Sequence, residues 1–209
     1  MEITLTNTGK RFNREWIFRH VNHEFKPSRS YAITGPNGSG KSTLLQVIAG
    51  AVLHSEGEIS YSIPGNETPA GQIVAGSDAY RNISIATPYL ELIEEMTAAE
   101  FLAFHGTFKE FSLPVMDILE AVSLQPAANK QIRYFSSGMK QRLKMAQAFF
   151  CKTPVLLLDE PTTNLDHDGI ALYRHLISNH TNGRLLIISS NDEQEYNFCD
   201  EVISISNYK

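Results

Sequence analysis

Gly35-Pro-Asn-Gly-Ser-Gly-Lys-Ser-Thr43 is the stretch on which the reading of this chain turns. It fits G-x-x-x-x-G-K-[ST], the pattern of a phosphate-binding loop, or P-loop. Gly35, Gly38 and Gly40 let the backbone wrap a phosphate chain without Cβ clashes. The intervening Asn37 and Ser39 carry N–H groups of the same wrap, and Pro36, which has no N–H, contributes its carbonyl. A helix expected over residues 41–49 would add its positive end to those N–H groups. Lys41 would place a point charge between the β and γ phosphates, and Ser42 would offer a hydroxyl to Mg2+. Thr43 completes the motif. The bland alternative is a glycine turn before a helix that happens to contain lysine. The β-type run at 31–34, directly ahead of the loop, argues against it, because the motif needs a strand–loop–helix context.

Further along, Val155-Leu-Leu-Leu-Asp159-Glu160 is an apolar run ending in two acids. A run of that length reads as a strand buried on both faces. Its acids then stand at the carboxyl edge of a sheet, where open α/β folds bind ligands. Asp159 is the candidate to hold magnesium, directly or through a water. Glu160 is the candidate to polarise an attacking water, a general-base role worth about 10²–10⁴ in rate. Alone, the pair could merely cap a strand before Pro161; together with the P-loop it reads as chemistry.

Other β-type runs lie at 3–5, 16–18, 21–25, Ser30–Thr34, 57–63 and Ile83–Ala86. Residues 64–78, rich in Gly, Pro, Asn and Ser, read as loop. Thr97 followed by Glu100 predicts a capping box and a helix through 106. Ser112 with Pro114 predicts a second helix to about 123. Ser136 and Ser137 precede a third at 138–150. Helices are also expected at 168–179 and 192–198, with strands at Leu185–Ser189 and 201–205. Alternation of this kind predicts an α/β layered fold, interrupted by a helical insert at about 97–150. The whole chain, 1–209, reads as one domain.

A net charge of -5 weakens a nucleic-acid reading, so none is expected as partner. Cys151 and Cys199 fit no metal spacing and read as reduced, partly buried thiols of a cytosolic protein. No apolar run approaches the ~20 residues that span a bilayer, so a membrane role would come through a partner. His20, His23, His54, His105, His175 and His180 read as surface or packing residues, and Trp16 as core or hairpin packing.

Phe135-Ser-Ser-Gly-Met-Lys-Gln-Arg-Leu143 resembles the LSGGQ signature of ATP-binding cassette (ABC) proteins. With it the chain resembles an ABC transporter nucleotide-binding domain over nearly its full length, in wording closest to the exporter branch. The resemblance implies the ABC ATPase fold: a P-loop NTPase core with a largely parallel sheet, an antiparallel β subdomain and a helical insert. It implies ATP and Mg2+ as ligands. It puts Phe12 on the adenine, residues 35–43 on the triphosphate, and Asn164-Leu165-Asp166 in a D-loop. It implies two cassettes face to face, as a homodimer or a heterodimer with another cassette, each P-loop covered by Ser136 and the amide of Gly138 from its mate. A transmembrane permease subunit would be the further partner, holding the chain on the cytoplasmic face of the membrane. His167, just past the D-loop, becomes a candidate for the dimer interface.

The chain departs from the family pattern at three places. Ser137 and Met139 replace a glycine and the glutamine of the signature, while the contacting Ser136 and Gly138 remain. Thr87-Pro88 stands where the family places a glutamine after the strand Ile83–Ala86; Thr87 either offers a hydroxyl toward magnesium or is merely part of a turn. Asn191 stands where the family has a switch histidine. Its amide can donate to a phosphate oxygen but has no proton titrating near neutrality. Either Asn191 only positions, with Glu160 the sole base, or hydrolysis is slow. The leading expectation is an ATPase subunit driving a separate membrane protein. The competitors are a soluble ABC-family ATPase, or an ATP-dependent switch without a membrane partner.

Overall fold

A computed structural model of the chain describes residues 1–63 and 72–209. In chain order the elements are β1 (Glu2–Phe12), β2 (Glu15–Phe25), β3 (Ser30–Thr34), α1 (Lys41–Ile48), β4 (Glu56–Ile63), β5 (Gln72–Val74) and β6 (Ile83–Ala86). Then follow α2 (Ala98–Gly106), α3 (Val115–Ala121), α4 (Ser137–Phe149), β7 (Val155–Asp159), α5 (His167–His180), β8 (Leu185–Ser189) and β9 (Glu201–Ser204). The strands form two sheets: an antiparallel one in the order β2-β1-β4-β5 and a parallel one in the order β6-β7-β8-β3-β9.

The parallel sheet explains why its central strands are apolar throughout. Leu156 and Leu158 of β7, with Leu186 and Ile188 of β8, face a cluster built from α2–α5. Val155, Leu157, Leu185 and Ile187 face the opposite cluster, with α1 and the inner face of the antiparallel sheet. Alternate residues point to opposite faces, so a strand covered on both needs apolar residues at every position.

Several elements differ from expectation. The runs at 16–18 and 21–25 are one strand, β2, with His20 between them in a left-handed conformation (φ 56°). Residues 64–71 of the expected loop lie outside the described residues. Residues 72–74 form the edge strand β5, paired Ile63↔Gln72 to Tyr61↔Val74, and residues 76–82 are a 3-10 turn. An edge strand held by backbone bonds on one side needs no apolar pattern. The second helix starts after Pro114, not at Ser112, because the Ser112 N–H donates to Phe150 O (2.8 Å) and ties that residue to the end of α4. The helix expected at 192–198 is only a 3-10 turn, Glu193–Glu195. The Asp192 carboxylate takes the Gln194 N–H at 2.9 Å, a local bond that competes with helix, and Tyr196 has already left helical geometry (φ -138°). The capping box at Thr97 and Glu100 is present with both of its bonds.

Of the three helices between β6 and β7, α4 packs on both strands and on α5, while α2 and α3 lean on α4. Cys151 is buried and Cys199 half-buried, and both are free. Trp16 is half-buried on the hairpin, with Arg19 4.1 Å from its ring centre.

His105 is stacked between Phe101 and Phe111, with ring centroids 6.5 and 5.7 Å away. Burial first, then the Lys109 ammonium, pushes its pKa down to about 4. A group whose folded pKa lies below its unfolded value of about 6.5 is neutral in the fold and charged in the unfolded chain between the two. Its stabilising share is therefore present above about pH 6.5 and is lost on acidification toward pH 4. Urea unfolding at pH 7 and pH 5 is expected to show about 1 kcal/mol more acid loss in the wild type than in His105→Gln, allowing for the ring's partial exposure. Equal losses would remove His105 as the cause.

Candidate active site

The loop between β3 and α1 is closed by glycine geometry, but its glycines do different work. Gly40 has φ 101°, and a Cβ there would lie 2.4 Å from Ile17 Cγ2 of β2. No other residue lets β2 approach so closely. At Gly38, by contrast, a Cβ would meet nothing within 4 Å of the protein. What calls for glycine at Gly38 is its left-handed φ of 75°, which a side chain would strain. Gly38 therefore shapes the wrap rather than making room for a packed neighbour, and it lines the cleft directly.

Ser39 N donates to Pro36 O (3.1 Å). Lys41 is 4% exposed. Its Nζ folds back over the loop, donating to Gly35 O at 3.0 Å and Pro36 O at 3.3 Å. The result is a cleft of about 370 Å³ lined by Ile17, the loop from Asn37 to Thr43, Tyr89 and Glu160.

β7 delivers both acids to this cleft's edge. Asp159 is 1% exposed, and its Oδ1 has no hydrogen-bond partner among the described residues. Burial raises its pKa; the hydroxyls of Ser42 and Ser189 pull it back, Glu160 raises it further and Lys41 lowers it. Glu160 lines the cleft itself. Its N–H donates to Ser189 O (2.8 Å), and its φ is 42°, a strained value for a residue with a side chain. That backbone turn swings the side chain out of line with β7.

The other candidates are scattered around this centre. Asn191 Nδ2 donates to Asn37 Oδ1 at 3.0 Å, across the outer rim of the loop. Phe12, at the end of β1, is 48% exposed under the Lys10 ammonium and does not line the cleft. Thr87 is buried; its C=O accepts the Leu90 N–H at 3.2 Å, and its side chain is not part of the cleft wall. Ser136 caps α4 by accepting the Met139 N–H (3.2 Å). With Ser137, Gly138, Met139, Arg142, Asn164 and Asp166 it lines a separate cleft of about 330 Å³. A Cβ on Gly138 would lie 3.2 Å from Asn164 O. Arg142 donates to Asp166 (3.1 Å), which in turn caps α5 by accepting Gly169 N–H. His167 is exposed, with its nearest charged neighbour the adjacent Asp168.

Three residues that sequence reasoning missed belong to this region. Ile17 and Tyr89 wall the P-loop cleft. Glu195, 3% exposed, accepts the Thr162 N–H (2.7 Å) and the Thr162 hydroxyl, pinning the turn that carries Glu160. Its own backbone carbonyl is held by the Tyr173 hydroxyl at 2.6 Å. A buried acid inside an apparent helix, 33 residues from its partner, leaves no local sequence signal.

The profile of one family, described as ABC transporter, matches residues 18–163. The ABC transporter ATP-binding protein YybJ of Bacillus subtilis is 27% identical over 208 residues, covering 98% of this chain and 92% of that protein. The cytochrome c biogenesis ATP-binding export protein CcmA of Rhizobium etli is 32% identical, covering 86% of this chain and 83% of that protein. Three further relatives are longer, and the chain spans 59%, 63% and 59% of their lengths. Among solved structures, a dimeric ATP-binding cassette in a post-hydrolysis state, bound to ADP and Pi, superimposes with a TM-score of 0.77 at 22% identity, covering 97% of this chain and 93% of that one. The fold, the P-loop cleft and the family match agree: the chain belongs to the ABC transporter family and is an ATP-binding subunit, a nucleotide-binding domain of that family.

Proposed function

We propose that the chain hydrolyses ATP with Mg2+ at the P-loop cleft, as one half of a cassette dimer, and that this cycle drives a separate transmembrane subunit. The observation that carries the reading is the meeting of three groups at one edge: the P-loop, Glu160 on the cleft wall, and Asp159 beside Ser42 with an unpartnered oxygen. A buried carboxylate oxygen without a hydrogen bond, next to a hydroxyl, suits a hard cation. Bound Mg2+ would supply charge neutralisation on the phosphates. Ser42 and Asp159 would hold it. Lys41 would exchange its two carbonyl partners for phosphate oxygens, and the loop N–H groups would cradle the rest of the chain of phosphates. Glu160 would accept the proton of the attacking water. Asn191 would position rather than transfer a proton, its amide leaving Asn37 to donate to the phosphate. Phe12 would reach the adenine only from its exposed position at the end of β1.

The P-loop cleft and the cleft around Ser136 and Gly138 share no lining residue. One chain therefore does not cover its own triphosphate with its signature, which supports a second cassette supplying it. Among the described residues no helix is long and apolar enough to cross a membrane. Attachment to the cytoplasmic face would go through the partner, for which the helical subdomain at about 97–150, with Phe104 exposed on α2 and Phe108 just after it, is the contact proposed.

Phosphate release by the purified chain is expected with Mg2+ and absent in excess EDTA; release independent of the metal would sink the reading. In single-turnover assays, Asn191→His tests the positioning role. A rate unmoved by histidine would mean that position 191 takes no part. Extraction from membranes with a partner is expected, and a purely soluble, partnerless pool would favour the soluble ABC-family ATPase instead.

A further inference from the structure

The segment after β6 delivers a tyrosine, not a threonine, to the triphosphate cleft. β6 and β7 are parallel neighbours paired Ile83↔Val155 through Ala86↔Leu158, so the residues that follow leave the sheet side by side. On β7 these are Asp159 and Glu160. On β6 they are Thr87, Pro88, Tyr89 and Leu90, which form a turn closed by Leu90 N–H on Thr87 C=O at 3.2 Å. Proline at the second position of such a turn fixes its φ and leaves the third residue projecting from the corner. That residue is Tyr89, which lines the P-loop cleft together with Glu160, while Thr87 is buried and is not part of the cleft wall.

The turn is anchored from outside the cleft. Lys144, buried on α4, donates its ammonium to the Pro88 carbonyl. One turn earlier on the same helix Lys140 pairs with Glu94, whose backbone carbonyl accepts the Arg133 N–H at 3.0 Å. A buried ammonium needs such a partner, so the position of Pro88, and with it Tyr89, is tied to α4. Tyr89 is also the one residue shared by the walls of the P-loop cleft and of the groove along Lys140 and Lys144. Tyr89 is 77% exposed.

We infer that Tyr89 donates its phenolic O–H to the terminal phosphate of the bound nucleoside triphosphate, and that Lys144 is the positioning residue that holds it there. The inference rests on the P-loop cleft being an ATP site, as proposed above. The ligand chemistry follows from the shared wall: Tyr89 lines the same cleft as Glu160, the proposed base for the water that attacks the γ-phosphate. A hydrogen bond to a charged oxygen is strong. A nucleoside diphosphate has no phosphate at that point, so the contact reads triphosphate against diphosphate.

The experiment is calorimetric titration of wild type, Tyr89→Phe and Lys144→Met with the β,γ-imido analogue of ATP and with ADP, both with Mg2+. Tyr89→Phe, at an exposed position, is expected to weaken the analogue about tenfold and to leave ADP unchanged. Lys144→Met is expected to lower the same ratio, with thermal melting confirming that it is folded. A ratio unchanged in Tyr89→Phe, or one that falls in Thr87→Val instead, overturns the assignment. An equal loss of both nucleotides in Lys144→Met overturns the positioning role. A wild type that binds neither nucleotide overturns the ATP site itself and this inference with it.

Discussion

Lys41→Ala is expected to weaken ATP about 30-fold or more and to leave the fold intact. Lys41 is nearly buried, and its partners in the structure are two neutral carbonyls, Gly35 O and Pro36 O. Burying an ammonium against carbonyls is costly; beyond the weak pull of the Asp159 carboxylate, its charge gains hydrogen-bonded anionic partners when phosphate oxygens arrive. Removing one member of such a buried charge pair costs about 2–5 kcal/mol of binding, which at 1.4 kcal/mol per decade is the stated factor. Without nucleotide the same substitution deletes a desolvated charge, so the melting temperature of the free variant is expected to match or exceed that of the wild type. Nucleotide at a hundred times its Kd stabilises a protein by about 2.7 kcal/mol, roughly 5–10 °C for a domain of this size. Thermal melting with and without ATP and Mg2+ reads both effects. A variant that keeps the ATP-induced shift would show that Lys41 is not on the phosphates.

For Glu160→Gln the expected loss is in turnover rather than binding. The side chain lines the cleft, held there by a strained backbone and by the Ser189 carbonyl on its N–H. Glutamine keeps that shape and removes only the proton acceptor. Single-turnover hydrolysis is expected to fall about 10²–10⁴-fold with nucleotide affinity unchanged. If two cassettes close on ATP, the variant is trapped closed, and size-exclusion with ATP should move it to dimer size. Unchanged hydrolysis would remove Glu160 as base. Loss of hydrolysis with no dimer at high protein concentration would point to a heterodimeric mate.

The legible parts of the molecule were local. The P-loop is nine adjacent residues. β7 is an unbroken apolar run with its two acids attached. Thr97 and Glu100 cap α2 within four residues. Misreadings arose where a distant bond outcompeted a local tendency. Ser112 reads as a helix start until Phe150 takes its N–H. Residues 192–198 read as helix until Glu195 is drawn onto Thr162, 33 positions away, reinforcing the local Asp192–Gln194 bond that already competes with helix. β5 has no pattern because β4 alone makes it a strand.

The site divides along the same line. Residue types and short spacings determined that a glycine-rich loop at residues 35–43 leads into a helix and that two acids stand at a sheet edge, because loop dihedrals and strand burial are encoded within a few residues. Tertiary structure alone decided that Asn191 meets Asn37, 154 positions away, that Ile17 closes against Gly40 while nothing closes against Gly38, and that Tyr89 rather than Thr87 faces the cleft. Those pairings depend on which strands lie side by side and where a buried lysine finds its carbonyl, and strand order is settled by packing the whole sheet, not by any one segment.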